Sequence, residues 1–401
     1  MNVPGGWDRK MLSEVVKEKI SYGIVQAGPH ITDGVPYIKS SDVRGKIDPE
    51  KLQKTSKDIH FKYRRSSVHP GDIVFSLRGN IGELAIVPDD LPEANLTQGT
   101  ARISVSKDHN SYFHHYQLQT FPIISRINAL SKGSTFKEIS LEELRKIQVL
   151  CPPITEQRKI AKILSTWDEA IATTEHFLAN SEQQKKALMQ QLLIGKKRLP
   201  GFEGEWQSEK LGDLFKERKE SGLSDYPLLS VTQDQGIIYR DDVGRKDTSS
   251  EDKSKYLKVC PGDIAYNTMR MWQGVSALSG LEGIVSPAYT VLKPSKLVDS
   301  RFAAYLFKLP PIIHLFFRHS QGLVSDTWNL KYNHFAKITV VVPRLEEQKA
   351  IATVISEQDK VIQALKKELV YFKSEKKALM QQLLTGKRRV KNEEEAEAIT
   401  A

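Results

Sequence analysis

Four short runs in this 401-residue chain place guanidinium, amide and aromatic side chains side by side. They are Lys62-Tyr63-Arg64-Arg65, Arg78-Gly79-Asn80, the run Asn267-Thr268-Met269-Arg270-Met271-Trp272-Gln273, and Thr327-Trp328-Asn329. Frequent Gly, Pro and Asp around them predict loops. The chemistry such sets carry is recognition: Lys and Arg meet phosphates, while Arg, Asn and Gln can make paired hydrogen bonds to base edges. Arg64, Arg65, Arg78, Asn80, Asn267, Arg270, Gln273, Trp328 and Asn329 are therefore candidate nucleic-acid contacts. A merely solvated or packed role is the alternative for each. Arg78, Asn80, Asn267, Arg270 and Gln273 are expected within the loops that hold Gly71-Asp72 and Gly262-Asp263.

Catalytic patterns are wanting. The Pro-Pro pairs stand in Cys151-Pro152-Pro153-Ile154 and Leu309-Pro310-Pro311-Ile312, neither of which is the Asn/Asp-Pro-Pro-aromatic type that holds an amino group for methylation. Gly45-Lys46, Gly195-Lys196 and Gly386-Lys387 lack both the upstream glycine and the following Ser or Thr of a phosphate-binding loop. No convincing nuclease carboxylate pair with a nearby Lys is found. His114 and His115 are adjacent, so they point apart, and no Cys or carboxylate set is expected to complete a metal site with them. Cys151 and Cys260 read as packed apolar residues.

Lys and Arg outnumber Asp and Glu by 59 to 49, a formal charge of +10 that favours a polyanionic partner. The first ten residues lack the basic-then-apolar order of a signal peptide, and no apolar stretch reaches the roughly 18 residues of a membrane span. A soluble, cytoplasmic protein without a membrane partner is expected.

The elements that must position the loops come from an internal repeat. Lys185 to Leu193 and Lys376 to Leu384 both read KKALMQQLL, an offset of 191 residues. The same offset pairs Glu156-Gln157 with Glu347-Gln348, Asp168 with Asp359, Gly195-Lys196 with Gly386-Lys387, and Pro70-Gly71-Asp72-Ile73 with Pro261-Gly262-Asp263-Ile264. A unit this long is a duplicated domain with a duplicated helix, not a solenoid repeat. Between Pro36 and Gln148 the match is thin, so one scaffold carries two divergent heads.

From Thr155 to Ile194 there is neither Gly nor Pro, with Pro152-Pro153 before and Gly195 after, which predicts one helix of roughly 60 Å. Three-four spacing picks out Ile160, Leu164, Trp167, Ile171, Thr174, Leu178, Ser181, Lys185, Leu188 and Leu192. The second copy gives Ile351, Ile355, Gln358, Ile362, Leu365, Leu369, Phe372, Lys376, Leu379 and Leu383. Two such seams would bury each other as an antiparallel coiled coil about a pseudo-twofold axis. The bland alternative is that each helix covers its own head. Lys186, Gln190, Lys377 and Gln381, on the near-identical segments, are candidate partner contacts. The basic ends Lys196-Lys197-Arg198 and Lys387-Arg388-Arg389 could touch phosphate or simply suit a helix C-terminus.

The order of head, Pro-Pro-Ile-Thr-Glu-Gln helix (Pro152 to Gln157), second head and Pro-Arg-Leu-Glu-Glu-Gln helix (Pro343 to Gln348), with Gly-Asp-Ile in each head, resembles the type I restriction-modification specificity subunits over essentially the whole chain. The resemblance implies an α+β protein with two target recognition domains in pseudo-twofold arrangement, separated by two long antiparallel coiled-coil helices. The expected division is 1–150 and 200–342 for the target recognition domains, 151–199 and 343–391 for the conserved helices, and 392–401 for a disordered tail. The family role it implies is non-catalytic: reading a split double-stranded DNA site and holding two methyltransferase (modification) subunits, with restriction subunits joining through the complex. No cofactor is expected on this chain; S-adenosylmethionine, ATP and magnesium belong to the partners. Arg344 in place of Pro153, and Gln358 in place of Trp167, depart from strict repetition. A coiled-coil adaptor whose heads bind proteins is the competing reading, and a self-sufficient restriction enzyme is disfavoured by the missing motifs.

Overall fold

The computed structural model describes residues 3–133, 137–221, 225–232, 236–244, 252–323 and 327–390. The predicted tail, 392–401, lies outside the described residues. The chain forms two compact units, Met1–Thr174 with Glu368–Ala401, and Glu175–Lys367. Each unit therefore holds one head, part of one long helix and part of the other.

In the first unit the head is closed at its base by the antiparallel pair Asp8–Met11 and Gln148–Cys151, so the chain enters and leaves through one hairpin-like ladder. A four-stranded sheet runs in the order Ser21–Tyr22, Thr100–Ile103, Ile73–Ser76, Leu84–Ile86. The strand Ile73–Ser76 reads as an unbroken run because it is covered on both faces. Ile73 and Phe75 join the core with Leu12, Ile103 and Leu118. Val74 joins the opposite core with Ile38, Val68 and Leu96. Pro70-Gly71 begins this strand in a tight turn, with Asp72 N–H donating to the His69 carbonyl at 3.0 Å and Gly71 at φ +83°. That position favours glycine.

The second unit repeats the plan. Gln207–Lys210 pairs with Thr339–Val342 at the base. The sheet order is Phe215–Glu217, Tyr289–Pro294, Ile264–Asn267, Ser276–Leu278. Ile264 and Tyr266 face one core and Ala265 the other.

The two long helices are Ile154–Leu192 and Leu345–Leu383, each of 39 residues. Both end as the sequence predicts: Gly195 and Gly386 take positive φ, and the N–H groups of Lys197 and Arg388 reach back to the carbonyls of Gln191 and Gln382 at 3.1 Å. Within each unit the helix segments run antiparallel. In the first, Glu156 meets Arg389 just past the opposing helix and Asp168 meets Lys376, with Trp167 against Phe372 between the helices. In the second, Glu182 meets Lys366 and Lys185 meets Asp359, with Gln358 against Ser181. Every residue of the two predicted seams is buried or half-buried, and in each unit seam residues meet the opposing helix as well as the head. Among the described residues no helix is long and apolar enough to cross a membrane.

Candidate nucleic-acid interface

The Gly-Asp turns do not hold the candidate contacts. Asp72 and Asp263 are buried, their side chains tying the turn shut by accepting from the N–H of His69 (3.0 Å) and of Cys260 (2.8 Å). Arg78, Asn80, Arg270 and Gln273 lie beyond the far end of the strand that each turn begins, and Asn267 is the last residue of its strand. The sequence expectation placed them at the wrong end because the strand between is only four residues long.

In the first head the strand exit is fixed by backbone bonds: Leu77 N–H to the Gly99 carbonyl at 2.9 Å, and Ile139 N–H to the Leu77 carbonyl at 3.0 Å. Arg78 follows, exposed, its side chain lying close over Gly99, where an added Cβ would come within 3.4 Å of Nε. Asn80 accepts from the Arg44 guanidinium at 2.6 Å. Arg44, exposed and 36 residues upstream, belongs to this group and was missed by sequence reasoning; its only signal was a basic residue beside Gly45 and Lys46.

Arg64 and Arg65 stand elsewhere. Arg64 lies over the exposed Phe61 ring, 4.5 Å from its centroid. Arg65 lines a pocket with Glu18, Lys19, Arg102 and Arg145. Two of those cations are structural: Arg102 pairs with Glu18 and donates to the Ser67 carbonyl at 2.7 Å, and Arg145 donates to the Ile20 carbonyl.

The second head gathers its candidates. The strand exit is pinned by the same bond one repeat later, Leu330 N–H to the Thr268 carbonyl at 2.8 Å. Asn267 caps the turn, accepting from Met269 N–H at 3.0 Å, and Arg270 and Gln273 are exposed beside it. Trp328 packs edge-on against Trp272 (5.2 Å) and Phe317 (4.8 Å), joining the Trp328-Asn329 run to the Asn267–Gln273 run. Asn329 exchanges backbone bonds with Gln321 at 2.8 and 2.9 Å, and its side-chain oxygen is buried without a partner among the described residues. Tyr289, opposite Asn267 across the strands, opens onto a cavity of about 520 Å³ with Arg240, Lys255 and Tyr256, residues the sequence did not single out.

Below the heads, each unit builds a socket on its helix start. Glu156 is buried and accepts from the Trp7 indole at 3.1 Å and from Arg389 at 2.8 Å twice, with the guanidinium 5.7 Å from the Trp7 ring centroid. Glu347 is buried and accepts from Arg198 at 2.5 and 2.7 Å, with that guanidinium 5.8 Å from Trp206. More than three helical turns further along, Tyr116 donates to Asp168 at 2.6 Å and Tyr305 to Asp359 at 2.7 Å, each under the Lys of the opposing helix. Burial, with the bond to Asp359, pushes the Tyr305 phenol up to about 12, so it donates throughout the ordinary pH range. Arg198 and Arg389, read as possible phosphate contacts, are thus held by buried carboxylates.

Lys186, Gln190, Lys377 and Gln381 are all exposed on the long helices. The helices also expose Phe177, Val361, Val370 and Tyr371, whose counterparts one repeat away are Glu368, Ala170, Ala179 and Asn180. These four exposed polar residues repeat; the four exposed apolar ones do not.

His114 and His115 do point apart, His115 lying edge-on to Tyr116. The sequence pointed to no residue that would join them, yet the fold brings a histidine and a cysteine to His114. Ligand atoms of His109, His114 and Cys151 lie within 4.8 Å of one another. Burial lowers His114 to about 3 and His115 to about 4, so both are neutral.

Comparison with known proteins places these features. The family model of the type I restriction modification DNA specificity domain matches residues 4–181 and again 203–370. The EcoBI specificity subunit of Escherichia coli is 32% identical over 164 residues, 40% of this chain and 34% of that protein. The MjaVIII specificity subunit of Methanocaldococcus jannaschii is 24% identical across 98% of this chain and 95% of that one. Among solved structures, the type I system S subunit from M. genitalium superposes with a TM-score of 0.62 at 14% identity, covering 96% of both chains. Two family domains, each with its own head and the start of a long helix, cover most of the sequence, and the chain belongs to the type I restriction modification DNA specificity family.

Proposed function

We propose that this chain is the specificity subunit of a type I restriction-modification complex, with each head reading one half of a split double-stranded DNA site and the paired helices holding two methyltransferase copies. One observation carries the reading. Both heads fix the strand exit with the same backbone bond, Ile139 to Leu77 and Leu330 to Thr268, yet display different side chains there: Arg44, Arg78 and Asn80 in one, Asn267, Arg270, Gln273 and Trp328 in the other. A constant frame with a variable edge is what two different base readings require. Two heads on one chain also gain affinity jointly, since the second contact is intramolecular.

The subunit itself does no chemistry in this reading. Methyl transfer needs S-adenosylmethionine, and translocation and cleavage need ATP and magnesium, all carried by partner subunits. Replacing residues 205–342, which enter and leave through the Gln207–Lys210 and Thr339–Val342 ladder, with the head of a relative tests it. Methylome sequencing should show one half-site exchanged and the other kept. Changes in both halves, or methylation independent of the head, would overturn the split reading. Little salt-dependent DNA affinity would favour the adaptor instead.

A further inference from the structure

We propose that His109, His114 and Cys151 form a binding site for a zinc-class divalent cation in the first unit. The three residues come from three places: the residue before the N-cap of helix Ser111–Leu118, the helix itself, and the end of strand Gln148–Cys151. Their ligand atoms lie within 4.8 Å of one another. Tetrahedral zinc with imidazole and thiolate ligands spaces those atoms by roughly 3.3 to 3.8 Å, so closure asks for a contraction of about 1 Å.

The second unit shows that packing does not demand these side chains. Its helix Ser300–Leu306 has the same N-cap geometry, Asp299 N–H donating to the Gln348 side chain at 3.0 Å as Asn110 N–H donates to that of Gln157 at 2.8 Å. Aligned on those caps and on the base ladders, the positions of His109, His114 and Cys151 are Val298, Ala303 and Val342, all buried. Three apolar residues do there what two imidazoles and a thiol do here.

The polar trio is also incompletely satisfied. His114 is fully buried and its Nδ1 has no hydrogen-bond partner among the described residues. His109 Nδ1 lies 3.4 Å from His114 Nε2 and 3.2 Å from the Gln157 amide, which holds the ring in place. A pocket of about 230 Å³ opens beside His109 and Cys151, lined also by Asp8 and Asp108, so water or a carboxylate can supply a fourth ligand. Imidazole with thiolate selects zinc over the hard cations that carboxylates and water suit. A bound cation would cross-link the chain ahead of the helix to the strand that leads into the first long helix, stiffening the seat of the first head only.

Cobalt titration of the purified full-length chain tests this. One equivalent of Co²⁺ should bring the visible bands of a four-coordinate site and a near-ultraviolet thiolate charge-transfer band, and Zn²⁺ should displace both. The triple substitution His109→Val, His114→Ala, Cys151→Val, which installs the second unit's own residues, should weaken Co²⁺ binding at least a hundredfold with the circular dichroism spectrum unchanged. Should that variant misfold, Cys151→Ser must abolish the charge-transfer band and Cys260→Ser must keep it. Absent cobalt bands, or bands that survive Cys151→Ser, would overturn the assignment.

Discussion

The two units use one socket in two chemical versions. Among the described residues, Glu156 in the first unit has two partners, the Trp7 indole and Arg389, whereas in the second Glu347 is held by Arg198 alone and the Trp206 indole nitrogen is buried without a partner. The layer above differs more. Trp167 packs edge-on against Phe372 at 5.7 Å in the first unit, and at the same two repeat positions Gln358 donates to the Ser181 carbonyl at 3.2 Å. What is kept is the buried ion pair, whose loss strands a charge; what drifts is a contact that can be repacked as long as both partners change together.

That contrast sets the order of expected effects. Arg198→Ala leaves Glu347 buried with no guanidinium, and stranding that carboxylate should be the largest loss of the set. Arg389→Ala leaves Glu156 the Trp7 indole, so it should cost less by about 1.5 kcal/mol, one hydrogen bond to a charged group. Urea denaturation of the two variants decides, and adding Trp7→Phe to Arg389→Ala should bring the losses level. Equal losses without it would mean the indole bond contributes nothing.

The layer comes next. Trp167→Gln alone removes an aromatic from a half-buried site and should cost about 2 kcal/mol, below the range for fully buried aromatics. Adding Phe372→Ser copies the second unit's solution, and the second change should cost less than it does in the wild type, with a coupling of about 1 kcal/mol. Strict additivity would show that the two layers are not alternatives of one another.

Much of this frame was legible in the sequence, and the reason is local. Pro-Gly-Asp turns, proline before the helices and glycine after them act within a few residues, and the helical seam is a periodicity. The socket was not legible, because Glu156 meets Arg389 across 233 positions and Arg198 meets Glu347 across 149. Gln358 looked like a departure for the same reason: its compensation, Ser181 for Phe372, is visible only once the antiparallel register is known. The candidate edge was half legible: the sequence named Arg78 and Asn80, but Arg44 joins Asn80 only through the fold, and Arg64, over Phe61, and Arg65, in its own pocket, stand elsewhere.

At that edge the comparison turns functional. Arg78→Ala should relax the base preference in one half-site and Arg270→Ala in the other, each costing about 1 to 3 kcal/mol at its own position. Arg64→Ala, away from the strand exit, should weaken binding evenly across sequences and flatten its salt dependence. Methylome sequencing and binding to half-site variants separate these outcomes, and a shared effect of Arg78→Ala and Arg270→Ala on one half-site would end the one-head, one-half assignment.

The smallest expected effect sits where the two units are most alike. Lys186 and Lys377 are exposed and occupy the same place in the repeated segment KKALMQQLL, so a partner that docks there meets two copies of one surface. A solvent-exposed charge contributes little, about 0.5 to 1 kcal/mol, so Lys186→Glu and Lys377→Glu should each lower methyltransferase affinity only several-fold and leave the chain folded. The informative quantity is equality. Sedimentation at limiting methyltransferase should show each single reversal depleting the complex with two methyltransferases in favour of that with one, by the same amount, and the double reversal depleting both. The differing exposed residues Phe177, Val361, Val370 and Tyr371 offer the contrary outcome, because a partner that relied on them would find no repeat to match. Unequal losses for Lys186→Glu and Lys377→Glu, with Tyr371→Ser more damaging than either, would move the docking surface from the repeated face to the unrepeated one.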